Sequence, residues 1–195
     1  MAARRDPPLT LDEIVDTALV LVATDGLDAL SMRTLSVALG VTPMAVYHHV
    51  ADKSALVDLA ADSVVARVPV PAAELPWDAW LAEYHDGLWK QLRGYPDIAR
   101  HLLEHPSTPA GAAIRQCTVE VLRRDGFDER TALLATSTFH THLLGRLAVH
   151  ALPVHEQRSD EPSWSAHGLT ADEYATFGLE TVLIGLRARA PKKRA

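Results

Sequence analysis

Residues 39–56 read LGVTPMAVYHHVADKSAL. Gly40 follows a short run with helical spacing that begins at Ser31, a residue type that caps helices. Thr42 and Pro43 then have the chemistry of a second helix start, because threonine caps a helix and proline fits its first turn. Two short helices therefore meet at a tight turn around one glycine. This arrangement is typical of a helix-turn-helix.

Helical spacing of apolar residues continues on both sides of this stretch, and we find no alternating strand pattern of useful length. Thr10 and Asp52 stand where helix caps are expected, and Gly26 stands where a helix ends. Further helices are predicted at residues 77–93, 97–104, 110–125, 128–151 and 171–190. The fold class is therefore predicted to be all-α.

Residues 68–76, VPVPAAELP, interrupt the helical pattern with three prolines. We therefore predict a helix-turn-helix domain over residues 1–67, a linker over 68–76 and a helical bundle over 77–195. Residues 153–168 have no apolar period and are predicted to form a long loop.

The two short helices divide into an inner and an outer face. The inner crossing is predicted to consist of small and apolar residues: Leu35, Ala38, Leu39, Val41 and Val46. The outer face is predicted to expose Pro43, Met44, Ala45, Tyr47, His48 and His49. Such a face suits the major groove of DNA, although a tight packing unit with a decorated surface is the alternative interpretation.

The net charge of −6 argues against nucleic acid as a partner, because cationic contacts to phosphate usually supply most of the affinity. Residues 1–68 alone hold five basic and nine acidic side chains, a balance of −4. Phosphate would therefore have to be bound by hydrogen-bond donors and helix N-termini near Ser31, Thr42 and Lys53, and not by an excess of basic side chains. We expect a shallower salt dependence of DNA binding than that of a heavily basic protein.

The run at residues 39–56 resembles the DNA-binding domain of the tetracycline-repressor (TetR) family, whose pattern is LGV followed by Y-x-H-V, a lysine and a leucine. The resemblance covers residues 10 to about 67. It implies that Tyr47, His49 and Lys53 contact the phosphate backbone of DNA.

The same resemblance places Met44 and Ala45 where the family reads base edges, and Arg33 near bases or phosphate. Because Met44 and Ala45 offer only apolar contacts, hydrogen-bonded base reading would depend on Arg33. The complete set of predicted DNA-contacting residues is Ser31, Met32, Arg33, Thr42, Pro43, Met44, Ala45, Tyr47, His48, His49 and Lys53.

The last predicted helix resembles the closing helix of the TetR C-terminal subclass that includes the tetracycline repressor. The resemblance implies a homodimer interface of four helices, formed by this helix and the one at 128–151. Small residues with apolar neighbours are the predicted interface residues: Phe177, Gly178, Thr181, Val182, Ile184 and Gly185. Packing within one chain is the alternative interpretation.

A small-molecule effector of unknown identity is expected among the helices of the bundle, because bundle interiors host ligands and family members respond to effectors. The candidate residues combine aromatic walls with polar tips: Trp80, Tyr84, Trp89, His101, Phe139 and His142. Ordinary core packing is the alternative. No metal or other cofactor is predicted, since none of the ten histidines has a tight metal-binding spacing.

These patterns predict a DNA-binding transcriptional regulator, most simply a repressor that an effector releases from a near-palindromic operator. The alternatives are a regulator without induction, an interaction bundle and a helical hydrolase using Ser137 and His140. We do not predict an enzyme, because no nucleophile elbow, phosphate loop or HExxH motif occurs. With no apolar run of membrane-spanning length and no secretory signal, a cytoplasmic location is expected.

Overall fold

The computed structural model describes residues 8–105, 108–150 and 168–191, and in these ranges every regular element is an α-helix. The helices are α1 (Leu11–Asp25), α2 (Met32–Leu39), α3 (Pro43–Tyr47), α4 (Lys53–Ala66), α5 (Trp77–Leu92), α6 (Pro96–Glu104), α7 (Pro109–Arg124), α8 (Glu129–His150) and α9 (Ala171–Arg187). The all-α prediction is confirmed. The loop predicted at 153–168 lies outside the described residues except for Gly168.

Side-chain caps determine where the short helices begin. The Ser31 hydroxyl accepts a hydrogen bond from the Thr34 backbone N–H at 3.0 Å, and the Thr34 hydroxyl accepts one from the Ser31 N–H at 2.8 Å. Gly40 ends α2 with a φ of 66°, a left-handed conformation that glycine adopts without strain. The Thr42 hydroxyl then accepts from the Ala45 N–H at 3.4 Å to begin α3.

The inner face of the helix-turn-helix differs from the predicted one at a single turn. Leu35 and Val46 are fully buried, as expected, but Ala38 is exposed and Ser36 is buried in its place. The prediction for Ala38 was wrong because Met32, Leu35 and Ser36 recur at the three- and four-residue spacing of one helix face, whereas Ala38 lies off it. The Ser36 hydroxyl donates to the Arg33 carbonyl, which makes its burial tolerable.

Helix α4 connects the N-terminal helices to the remainder of the chain. It packs against α1 and also against α5, α6 and α7. Its buried residues therefore occupy more than one face: Leu56, Val57, Ala60, Ala61, Val64 and Val65. One hydrophobic cluster extends from Ile14 in α1 to Leu186 in α9. The division into domains at residues 68–76 stays a prediction, because this core is continuous across it.

Helix α8 is the centre of the second group of helices and contacts α5, α6, α7 and α9. Aromatic side chains occupy the centre of this bundle. The Trp80 and Tyr84 rings stack with centroids 5.5 Å apart, and Phe139 lies 6.5 Å from Tyr84. None of the helices in the described ranges has the length and apolar character needed to span a membrane.

Candidate nucleic-acid interface and ligand cavity

The outer face of α3 is open to solvent, whereas its inner face is anchored. Val46 is fully buried and Val50 nearly so, and these residues fix the helix against the N-terminal core. Met44 is 64% exposed and Tyr47 is 48% exposed. Pro43, His48 and His49 are also exposed, Thr42 caps the helix, and Ala45 is partly buried. A short helix therefore presents apolar groups and hydrogen-bond donors on one free surface.

The neighbouring helix α2 contributes the cation Arg33 to this surface, whereas Met32, which was predicted to contact DNA, does not lie on it. Arg33 is exposed, and in the described ranges its side chain has no acidic partner. Met32, by contrast, is only 8% exposed and belongs to the hydrophobic core. We therefore assign Met32 to packing and not to the outer surface, because the helix start turns its side chain inward. Ser31 is partly buried and its hydroxyl serves as the cap.

Lys53, at the start of α4, has a partner within the chain. Its Nζ donates a hydrogen bond to the Leu27 carbonyl at 2.9 Å and so holds the loop between α1 and α2. An ammonium group has three donors, which leaves further N–H groups for a phosphate. Lys53 is thus a loop anchor in the free protein, a role that the sequence did not predict.

Four of the nine acidic side chains in residues 1–68 make contacts inside the chain. Asp16 pairs with Arg67, and Asp52 caps the α4 N–H of Ala55 at 2.9 Å. Asp58 and Asp62, on α4, accept hydrogen bonds from α6 and from the start of α7, respectively. These contacts fix four carboxylates against partners inside the chain, but they leave the formal balance of −4 unchanged.

A cavity of about 210 Å³ lies among α4 to α8. Most of its wall is apolar: Val65, Leu88, Leu92, Leu102, Ile114 and Leu144. Its polar groups are supplied by Tyr84, Arg115, Ser137, His140 and Thr141. A second cavity of about 310 Å³ adjoins it and shares Val65, Tyr84 and Ile114 with it.

Of the six residues predicted to bind a ligand, Tyr84 lines both cavities and the other five do not line either. Trp80 and Phe139 pack around Tyr84 in the core. The Trp89 indole N–H donates to the Asp172 carboxylate at 2.8 Å. His101 Nε2 lies 2.8 Å from Asp58 Oδ1, joining α6 to α4.

Two polar groups in the cavity wall are buried without a hydrogen-bond partner in the described structure, the Tyr84 hydroxyl and His140 Nε2. Burial raises the pKa of the Tyr84 phenol, which stays protonated. Burial lowers the pKa of His140 to about 4, so its ring is neutral near pH 7. Because His140 Nδ1 lies 2.9 Å from the Thr136 carbonyl, Nδ1 carries the proton and Nε2 is an acceptor.

A Tyr84→Phe substitution is expected to leave the free energy of unfolding unchanged or to raise it by about 1 kcal/mol, because the hydroxyl is buried without a partner. Urea unfolding followed by circular dichroism measures this effect. Thr118→Val is the matched control: the Thr118 hydroxyl is buried but donates to the Ile114 carbonyl at 2.8 Å, so its loss should destabilise the protein. A loss for Tyr84→Phe as large as that for Thr118→Val would contradict the unpartnered hydroxyl.

Residues 14–60, which include most of α1, the helix-turn-helix and the first half of α4, match the family described as bacterial regulatory proteins, tetR family. A tetracycline repressor protein of class E from Escherichia coli is 25% identical over 95% of this chain and 94% of its own length. The chain therefore carries a TetR-family DNA-binding domain at residues 14–60. It is a DNA-binding transcriptional regulator.

Two further relatives extend the likeness beyond the helix-turn-helix. An HTH-type transcriptional regulator from Saccharopolyspora erythraea is 28% identical over 88% of this chain and 73% of its own length. The crystal structure of the Streptomyces coelicolor TetR family protein ActR, in complex with (S)-DNPA, superimposes with a TM-score of 0.77 at 29% identity. That comparison covers 94% of this chain and 100% of the ActR chain.

The predicted dimer residues of this regulator divide into two groups on α9. Phe177 and Ile184 are 70% and 64% exposed, and Thr181 is exposed between them, with Val182 and Gly185 partly buried. Gly178 has a role within the chain. A Cβ atom added there would lie 2.1 Å from Cε1 of His142, so this glycine makes room for the histidine ring on α8.

The sequence did not predict two ligand-cavity residues, Arg115 and His140, as members of the site. Arg115 directly follows the buried Ile114 on α7, and both residues line the cavity. A cation next to buried apolar residues is the one sequence feature that could have indicated a functional role for Arg115. His140 and His142 diverge, as their two-residue spacing predicts: His140 faces Tyr84, and His142 faces Gly178. In the described ranges no three metal-ligating side chains come together.

Proposed function

We propose that this regulator is a homodimeric repressor whose two α3 helices bind the half-sites of a near-palindromic operator. A small molecule in the cavity among α4 to α8 would release it from that operator. The proposal is carried by one observation, namely that α3 is anchored by Val46 while its whole outer face is free. The residues proposed to contact DNA are Arg33, Thr42, Pro43, Met44, Ala45, Tyr47, His48, His49 and Lys53, with Ser31 as the cap that positions Arg33.

An exposed apolar face supports the proposed dimer. On α9, Phe177 and Ile184 are seven residues apart and lie on one side of the helix. On α8, which packs against α9, Leu133 and Leu134 are 54% and 59% exposed. Large apolar side chains exposed on adjacent helices are typical of a surface that another protein covers. We propose a second copy as that protein, which would place two α3 helices on one DNA duplex.

Helix α6 offers a route from the cavity to the helix-turn-helix. Leu102 lines the cavity near one end of the helix, while Asp97 near the other end accepts the Leu27 backbone N–H at 2.8 Å. His101 joins the same helix to Asp58 on α4. A ligand that displaced α6 would therefore disturb both the loop before α2 and the start of α4. If the ligand binds more tightly to the form with α6 displaced than to the form without that displacement, it shifts the population away from the DNA-binding form.

Asp97→Ala is expected to lower operator affinity several-fold and the free energy of unfolding by about 1–3 kcal/mol, because the Leu27 N–H loses its acceptor. Fluorescence anisotropy and urea unfolding measure the two quantities. Asp86→Ala is the control, since Asp86 makes only an exposed 3.8 Å ion pair with Lys90. If Asp97→Ala and Asp86→Ala bound the operator with equal affinity, the hydrogen bond between Asp97 and the Leu27 N–H would not position α2.

Selection of bound sequences from random duplex DNA tests the proposed function. The expected result is enrichment of a near-palindrome whose half-sites lie about one helical turn or a little more apart. Small molecules can then be screened for release of the enriched duplex. Failure to enrich any sequence at low salt would overturn the proposal, and a single asymmetric site bound by one chain would overturn the dimer.

A further inference from the structure

The wall of the cavity among α4 to α8 holds a positively charged side chain and no negatively charged one. Arg115 is the one basic residue other than histidine among its lining residues, and no acidic side chain lines it. In the described ranges Arg115 makes no ion pair and no hydrogen bond. A partly buried guanidinium with five unused donors beside an apolar wall is costly unless something anionic meets it. No acidic side chain in the described ranges meets this guanidinium, which leaves its donors available to an anionic ligand.

Two further groups at the same wall lack partners. Tyr84 is 99% buried and His140 is 91% buried. Neither the Tyr84 hydroxyl nor His140 Nε2 has a hydrogen-bond partner in the described structure. The Tyr84 and His140 rings have centroids 6.1 Å apart, and Arg115 lines the same cavity as both. Nε2 of His140 is an acceptor, since Nδ1 donates to the Thr136 carbonyl. This acceptor is free to take a hydrogen bond from a ligand hydroxyl.

We propose that the cavity selects small aromatic hydroxy acids, with the carboxylate bound by Arg115 and a ligand hydroxyl donating to His140 Nε2. The apolar wall accommodates the ring, and the Tyr84 hydroxyl can donate to the carboxylate. The cavity that Arg115 and His140 line has a volume of about 210 Å³, below the roughly 300–1,000 Å³ of pockets for drug-sized ligands. The second cavity is lined by neither residue, so a single ring suits the space beside these two groups. This assignment rests on the proposed function, which makes this cavity the effector site.

Isothermal titration calorimetry of the full chain without DNA tests the assignment. The probes are 2-, 3- and 4-hydroxybenzoate, each with its neutral amide, and benzoate. At least one hydroxybenzoate is expected to bind, about tenfold or more tightly than its amide, as a charge-assisted contact implies. The same compound is expected to bind several-fold more tightly than benzoate, which lacks the donor for His140.

Variants of Arg115 separate its charge from its packing. Arg115→Gln should remove the preference for the acid over the amide, whereas Arg115→Lys should keep most of it. Arg123→Gln, at an exposed position on the same helix, should leave acid binding unchanged. Circular dichroism establishes that each variant is folded.

Three results would overturn the assignment: no hydroxybenzoate bound at millimolar concentration, equal affinity for acid and amide, or equal loss in Arg115→Gln and Arg123→Gln. Because the titration contains no DNA, its failure is distinguishable from failure of the proposed function. If another compound released the selected duplex while acids did not bind, the ligand class alone would be wrong. If acids bound and no duplex were ever selected, the proposed function would fail.

Discussion

A Tyr47→Ala, His49→Ala double variant is expected to bind DNA about a hundredfold more weakly than the natural chain, whatever the base sequence. Both side chains are exposed on or next to α3, and both can donate hydrogen bonds to phosphate oxygens. A hydrogen bond to a charged group contributes about 1.5–3 kcal/mol, so the loss of two accounts for this reduction. Fluorescence anisotropy with a labelled duplex measures it.

The control for this variant must leave the surface of α3 unchanged. Gln116→Ala changes an exposed side chain of α7 and should leave DNA affinity unaltered. Because Tyr47 and His49 are both exposed residues outside the hydrophobic core, thermal unfolding of the double variant should stay close to that of the natural chain. A double variant that binds DNA normally would contradict the assignment of α3 as the DNA-binding helix.

Gly178→Ala is expected to lower the free energy of unfolding by about 1–3 kcal/mol, the usual cost of overpacking a tight contact. The added methyl carbon would lie 2.1 Å from Cε1 and 2.2 Å from Nε2 of His142, well inside contact distance. Either α8 and α9 must separate or the histidine ring must leave its position. Urea unfolding measures the loss.

Gly185→Ala provides a matched control on the same helix. At that position the nearest atom to an added Cβ is Arg189 Nη1 at 3.7 Å, which is ordinary contact. Alanine is the better helix former by about 1 kcal/mol, so Gly185→Ala should be neutral or stabilising. His142→Ala should rescue Gly178→Ala, since the clash then disappears. If both glycine variants behaved alike, the packing of His142 on Gly178 would be wrong.

Local rules explain how much of the fold the sequence predicts. Caps and helix ends depend on neighbours within four residues, and Ser31, Gly40 and Thr42 therefore marked the helix-turn-helix correctly. The exposed face of α3 followed from the same spacing. Ala38 and Met32 were harder to place, because which side of α2 is buried depends on α1 and α3 packing against it.

The cavity was mostly beyond sequence reasoning because it is formed by residues far apart in the chain. Tyr84 was predicted, but Arg115 and His140 join it from α7 and α8 through long-range packing. Trp89 and His101 had the aromatic and polar character of pocket residues, yet each is engaged by a distant carboxylate, Asp172 or Asp58. Such partners become visible only when the helices are placed side by side.

The central claim is that two copies of this chain bind one duplex through α3. A titration of the selected duplex, followed by anisotropy and by analytical ultracentrifugation, tests it most directly. We predict two chains per duplex and a large loss of affinity when one half-site is scrambled, because the second α3 then makes only phosphate contacts. One chain per duplex, with affinity indifferent to scrambling, would contradict the account.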